Sequence, residues 1–294
     1  MIYHIERFSS LGSTNEYLKQ LAESGAPEGT VVIAREQTAG RGRFGRRWLS
    51  PKGGAWFSLL LRPPIPVEQA GCIAILIAVS LARALREGWG VPVGVKWPND
   101  LYVPHPRPPA PSPLTSPPAP PRHGEGSSPF PLREGGRGVR SGEGMGVRVG
   151  GPQAGVRYQK LGGILIELST NAAQIEWLVA GIGVNVNNEL PTGARVLPTS
   201  LARELGHPVP LEEFFERALA AIAQDYERFL SEGFEFVRQR WQELSVLPPR
   251  VLVKTDSGEV AAEVLGLSQS GKLVVRTGES VRELAAEEVT LCPP

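Results

Sequence analysis

Gln37-Thr38-Ala39-Gly40-Arg41-Gly42-Arg43-Phe44-Gly45-Arg46-Arg47-Trp48 sets three glycines and four arginines just after an apolar run, Gly29-Thr30-Val31-Val32-Ile33-Ala34, that reads as a strand. Glycine lets the backbone come close to a ligand, and arginine forks onto carboxylates and phosphates, so the stretch predicts an anion-holding loop. Residues 40–45 also spell G-x-G-x-x-G. A dinucleotide-binding turn needs a helix directly after it and an acidic residue about 20 positions on. Trp48-Leu49-Ser50-Pro51 and Gly53-Gly54 prevent that helix, and residues 59–66 hold no carboxylate. A protein-kinase loop lacks its H-R-D and D-F-G companions here. A P-loop needs Gly-Lys-Ser/Thr where Arg46-Arg47 stand.

Cations interleaved with Phe44 and Trp48 also suit single-stranded nucleic acid. The balance of the chain argues against that. Lys+Arg number 31 against Asp+Glu 30, a net charge of +1, and the folded part has no second basic patch. Cys72 and Cys292 are the only cysteines, which predicts neither a disulfide framework nor a zinc site and fits a reducing cytoplasm. Residues 1–7 carry no apolar signal core. The most apolar segment, 70–82, is shorter than the roughly 20 residues of a spanning helix and runs on into Arg83, Arg86 and Glu87. It reads as a buried helix, with no membrane partner.

Ser13-Thr14-Asn15-Glu16 has the spacing of a capping box ahead of a short helix that ends at Gly25. Residues 53–61 read as a strand, 67–89 as a helix stopped by Gly90, and 94–102 as a strand broken at Pro98, an edge or bulge signal. Residues 103–157 then hold 13 of the 28 prolines, seven arginines and no lysine or tryptophan, with no hydrophobic period. Such a segment cannot bury enough apolar surface to offset its ordering entropy, so it predicts a disordered, low-complexity insertion. Its polyproline patches also suit SH3-like partners. Order is expected to resume at Lys160, with strands over 161–168 and 177–186 and helices over 199–206, 211–230 and 234–244. After Pro248-Pro249 the period turns to two. About five short strands over 251–291 predict a small β-barrel.

Three further pieces join the arginine loop. Lys96-Trp97-Pro98-Asn99-Asp100 places a cation, an aromatic face and an acid together. Lys160 stands just ahead of a strand opened by Gly162 and Gly163. Gly181-Ile182-Gly183-Val184-Asn185-Val186-Asn187 ends a strand in glycines and amides. With these motifs, and with Ser13-Thr14-Asn15 and Thr199-Ser200-Leu201, the chain resembles the biotin protein ligases over nearly everything except 103–157.

The resemblance implies a fold and a division of the chain. The fold is α/β (α+β), a class II synthetase-like catalytic domain with a mixed sheet over 1–247, followed by a small SH3-like β-barrel domain over 248–294. Some members add an N-terminal winged helix that binds an operator. Here the catalytic pattern begins within the first dozen residues, so no DNA partner is expected.

The implied reaction has two steps. Biotin's carboxylate attacks the α-phosphate of ATP to give biotinyl-5′-AMP. A lysine of a biotin carboxyl carrier domain, part of a biotin-dependent carboxylase, then takes the biotinyl group. Lys160 and Arg43 are the implied catalytic residues. Ser13, Thr14, Asn15, Gln37, Gly40, Arg41, Gly42, Arg43, Trp48, Lys160, Gly162 and Gly163 are implied to bind biotin. Arg41, Arg43, Lys96, Asn99, Asp100 and Asn185 are implied to hold ATP or the adenylate, with Asp100 near Mg2+. Lys96 reads equally as a structural residue, and Trp48 as core packing. A homodimer fits the family. The rival readings are a lipoate–protein ligase, which shares the adenylate chemistry, and a non-catalytic biotin or nucleotide sensor. The departure from the family is the insertion, which separates Asp100 from Lys160 by 60 positions.

Overall fold

The computed structural model describes residues 1–106, 156–172, 174–193, 196–255 and 258–285. Its strands are β1 (His4–Phe8), β2 (Thr30–Ala34), β3 (Ala55–Leu61), β4 (Gly94–Lys96), β5 (Asp100–Pro106), β6 (Val156–Asn171) and β7 (Gln174–Val184). They form one seven-stranded sheet in the order β1-β2-β3-β7-β6-β5-β4. β1 and β2 are parallel and the other pairs antiparallel. The helices are α1 (Thr14–Glu23), α2 (Ala70–Trp89), α3 (Leu201–Leu205), α4 (Leu211–Glu232) and α5 (Glu235–Leu244).

Period two along the central strands divides the sheet into two faces. Phe57, Leu59 and Leu61 of β3, with Leu178, Ala180 and Ile182 of β7, enter the large core beneath α2, α4 and α5. Leu60 and Val179 point the other way and join Leu18 and Ala22 of α1. A strand covered on both faces needs no polar alternation, which is why residues 55–61 read as an apolar run interrupted at Ser58 alone. The α1 cover is short. Beyond it the same face carries Ser58, Gly181, Gly183 and Gly163, and the candidate site opens there.

α2 and its preceding turn, Val67–Trp89, are long and apolar enough to cross a membrane by length and composition alone. Instead the helix is packed into the core, with Ile73, Leu76, Ile77 and Leu81 fully buried. Gly90 closes it at φ 68°, a left-handed position that glycine adopts without a Cβ clash.

Two sequence expectations need correction. The capping box does not form. Ser13 has the extended N-cap backbone, but its side chain makes no cap hydrogen bond, and Glu16 pairs with Lys19 and Arg41 instead. The insertion is also shorter at both ends than 103–157. β5 runs to Pro106 and β6 begins at Val156, with Val103 opposite Gln159 and Pro104 opposite Tyr158. β4 pairs β5 only as far as Tyr102. Past that point β5 has no partner on that side among the described residues, and prolines are accommodated at such an edge. The remainder of the expectation, residues 107–155, lies outside the described residues.

The C-terminal strands β8 (Arg250–Thr255), β9 (Gly258–Leu267), β10 (Leu273–Thr277) and β11 (Ser280–Leu284) form an antiparallel sheet in the order β11-β10-β9-β8. The fifth strand expected near 289–291 lies outside the described residues. Val253, Leu267, Leu273 and Val275 join the same core as α2 and α5. The two sheets are thus fastened together by apolar packing as well as by polar contacts.

Candidate active site

A cavity of ≈ 350 Å³ lies on the open part of the sheet face, between the start of α1, the arginine loop and the β4–β5 turn. Its lining brings together Ser13, Thr14, Asn15, Gln37, Arg41, Gly42, Arg43, Trp48, Asn99, Asp100, Lys160 and Gly163, all foreseen from sequence. Five cations line it, Arg41, Arg43, Arg46, Arg47 and Lys160, against a single carboxylate, Asp100. The field in the cavity therefore favours an anion.

The arginine loop is a hairpin. Gly42 N–H donates to Arg46 O (2.7 Å) and Trp48 N–H to Gly40 O (2.9 Å). Its tip turns through Phe44 and Gly45 at positive φ, 57° and 69°. Phe44 and the arginines at 41, 46 and 47 are exposed. Arg41 is held by Glu16 at 2.6 Å, and the Arg43 guanidinium lies 4.8 Å from the Phe44 ring.

Lys160 reaches the cavity through a β-bulge. Asp100 lies opposite Gly163 and Leu101 opposite Gly162, but Tyr102 lies opposite Lys160, so Leu161 is the extra residue. Without the bulge, Lys160 and Gly163 would face opposite sides of the sheet. With it, Leu161 and Ile164 enter the core while Lys160 joins Gly163 and Leu165 at the cavity. The lysine therefore sits inside β6, not ahead of it, four residues past the strand's first described residue. Its N–H donates to Leu197 O (2.8 Å) and its carbonyl accepts from Thr199 N–H (2.9 Å). Its ammonium pairs with Asp100 at 2.7 Å and lies 5.2 Å from the Trp48 ring.

Trp48 packs over β7, where a Cβ on Gly183 would come 2.7 Å from the indole nitrogen. Across the indole is a second cavity of ≈ 330 Å³. Arg47, Trp48, Lys160 and Val196 line both cavities.

Four foreseen residues are placed away from the first cavity. Gly40 is fixed by packing, since a Cβ there would come 2.5 Å from Trp48 O. Gly162 belongs to the bulge, and a Cβ would come 2.6 Å from Gly183 O. Lys96 lies 5.5 Å from the Tyr102 ring. Asn185 lines the second cavity, and its side-chain Oδ1 accepts from Asn188 Nδ2. Asn99 does line the first cavity, but its amide donates to Ile164 O, which ties the β4–β5 turn to β6.

Sequence reading missed Ser58 and Glu167. Both lie behind the wall made by Thr14, Asn15 and Gln37. Thr14 N–H and hydroxyl reach Gln37 Oε1 at 2.8 and 3.0 Å, and Gln37 Nε2 donates to Ser50 Oγ at 2.9 Å. Ser58 Oγ lies 2.6 Å from Asn15 Oδ1, and Asn15 Nδ2 donates to Glu167 Oε2 at 2.8 Å. Lys19 donates to Glu167 Oε1 at 2.8 Å. Burial pushes the Glu167 carboxyl up, but hydrogen bonds from Lys19 and Asn15 and the charges of Lys19 and Arg41 outweigh it and hold the group below its ordinary value. The only sequence signal was a carboxylate in phase with Gly163 and Leu165 in the otherwise apolar run 161–168.

A sequence profile of the Biotin/lipoate A/B protein ligase family matches residues 8–108. A biotin–[acetyl-CoA-carboxylase] ligase of Paracoccus denitrificans is 28% identical over 284 residues, covering 94% of this chain and 96% of its own length. The chain is thus similar to a biotin protein ligase over nearly its whole length. Another relative, the bifunctional ligase/repressor BirA of Bacillus subtilis, is 26% identical over 99% of this chain and 74% of its own length. Among solved structures, the biotin protein ligase of Aquifex aeolicus in complex with biotin and ATP superposes with a TM-score of 0.70, covering all of both chains at 24% identity. That likeness establishes the fold, a class II synthetase-like mixed sheet. The chain keeps this fold although β5 and β6 are separated by residues 107–155.

Proposed function

We propose that the protein joins biotin to a specific lysine of a biotin carboxyl carrier domain, through biotinyl-5′-AMP. The observation that carries this reading is the position of Lys160 on the wall shared by two cavities. The first ends in the neutral polar wall of Thr14, Asn15 and Gln37, which suits a ureido ring. The second, with Asn185 and Gly193 in its lining, suits the nucleotide. The two reacting anions then meet beside Lys160, Arg41 and Arg43. Cations placed where two anions must touch offset their repulsion and hold them in line.

In the first step a carboxylate oxygen of biotin bonds to the α-phosphorus, and pyrophosphate leaves. In the second the neutral amine of the carrier lysine bonds to the acyl carbon, AMP leaves, and the amine gives up a proton. The arginine hairpin covers the mixed anhydride between the steps and keeps water from it. Among the described residues no cluster of three or more His, Cys, Asp or Glu could hold a metal. Mg2+ is therefore read as arriving with the phosphates, and Asp100 as the lining carboxylate nearest to it.

A cytoplasmic setting and a homodimer belong to the same reading. β1 is a sheet edge with Ile5 exposed, and sedimentation velocity decides the dimer. The test of function is pyrophosphate release on mixing protein, biotin and ATP, followed by amide formation on a carrier domain, with Lys160→Ala as control. Release with lipoate in place of biotin would move the assignment to lipoate ligation. Binding of biotin with no release would make the protein a sensor.

A further inference from the structure

Behind the polar wall runs a line of hydrogen bonds that ends on a charge. Glu167 does not line the cavity, and its side chain is a quarter exposed. As an anion it accepts hydrogen bonds and donates none. Asn15, which is buried, must therefore turn its Nδ2 toward Glu167, and its Oδ1 toward Ser58.

Ser58 is fully buried, and its Oγ stands 2.6 Å from Asn15 Oδ1 and 2.8 Å from Thr14 Oγ1. It has one proton to share between them. Asn15 Oδ1 carries none, so the proton settles there. The Thr14 hydroxyl proton then has two inward acceptors, Ser58 Oγ and Gln37 Oε1. Gln37 cannot turn the other way, because its Nε2 is committed to Ser50. The Thr14 proton is drawn into the wall, and its lone pairs are left for the cavity.

We propose that Glu167 is a specificity-determining positioning residue, which fixes the donor and acceptor order of Asn15, Ser58 and Thr14 so that the wall accepts a ring N–H. This rests on reading that wall as the seat of biotin's ureido ring. A glutamine at 167 can accept or donate. Asn15 is then free to flip, Ser58 returns its proton to Thr14, and Gln37 Oε1 is the one inward acceptor left to the Thr14 proton. A ring N–H then meets a donor in the part of the population in which the Thr14 proton has left Gln37. Lys19, paired to both Glu167 and Glu16, keeps the carboxylate ionised in the resting protein.

The test uses the full-length protein and compares biotin with a biotin methylated on both ureido nitrogens, by competition calorimetry and pyrophosphate release. In Glu167→Gln, Kd and KM for biotin rise about tenfold, while kcat, KM for ATP and the Kd of the methylated ring stay within about twofold. Glu167→Asp, which still only accepts, restores most of the preference. Ser58→Ala breaks the line at its middle and reproduces the selective loss if the glutamine variant does not fold. Equal weakening of both rings, or no change in either, overturns the proposal. Absence of pyrophosphate release from the unmodified protein would instead overturn the reading beneath it.

Discussion

Trp97 donates its indole N–H to the backbone carbonyl of Gly271 at 2.9 Å, inside the seam between the C-terminal sheet and the β4–β5 turn. The same turn carries Asn99 and Asp100, and Asp100 holds Lys160. Gly271 adopts φ 76° and packs against Ile75 and Cys72 of α2. The C-terminal sheet is therefore a brace for the turn that holds Lys160. In Trp97→Phe the ring remains and the donor is lost, leaving a buried carbonyl unsatisfied. That costs about 1–3 kcal/mol.

Cys72 reports on this seam. It is fully buried, and burial pushes its thiol up to about 12, so it is unreactive in the folded protein. Peptide-mapped alkylation at pH 8 is expected to spare Cys72 in the unmodified protein. In Trp97→Phe labelling at Cys72 rises several-fold, in step with a fall in adenylation. Loss of activity with Cys72 still protected would disprove the brace.

Gly181 sits where β7 passes under Asn15. A Cβ there would collide with the Asn15 amide. Overpacking of this kind costs about 1–3 kcal/mol, and here the neighbour that must move belongs to the polar wall. Gly181→Ala is expected to weaken biotin at least tenfold by calorimetry. Its ATP binding should be preserved, because the second cavity lies beyond Trp48. A weakened nucleotide with unchanged biotin would contradict the assignment of the two cavities.

Arg43 stands at the start of the loop tip, beside two residues at positive φ. Arg43→Gly is expected to leave adenylation measurable but to let the anhydride escape. The assay is label on bystander lysines of an added non-substrate protein, which should rise with the variant and fall with added free amine. Bystander labelling equal to that of the unmodified protein would exclude a covering role for the loop.

Element types were legible because burial wrote them into the period. Residues 55–61, but for Ser58, and 70–82, but for Ser80, are apolar because each is covered on every side that matters. The positive-φ stop at Gly90 was legible for a similar local reason. The bulge at Leu161 was not, since nothing near Leu161-Gly162-Gly163 says that one residue lies outside the pairing. Only the demand that Lys160 and Gly163, three positions apart, face the same way implies it. The ends of β5 and β6 were hidden by composition: Pro104 and Pro106 look like linker, but they lie where β4 has already ended. Glu167 was invisible as a functional residue because its partners, Asn15 and Lys19, lie about 150 positions away. Ser13-Thr14-Asn15-Glu16 misled as a cap because the same residue types serve the cavity.

The charge on Glu167 also makes a prediction about pH. Burial raises its carboxyl, but Lys19 and Asn15, with the charge of Arg41, lower it further than burial lifts it, so the folded value lies below the ordinary 4.5. A depressed carboxylate stabilises the fold fully above its unfolded value, and that contribution is lost as pH falls through the folded value. Lys19 and Arg41 are also shared with Glu16, so protonating Glu167 leaves two cations on one remaining carboxylate. The urea midpoint of the unmodified protein should therefore exceed that of Glu167→Gln at pH 7, and the gap should narrow as the pH falls below the ordinary 4.5. Biotin affinity of the unmodified protein should fall over the same interval, while that of Glu167→Gln stays flat. A gap that persists unchanged down to acid unfolding would mean that Glu167 acts through packing and not through its charge.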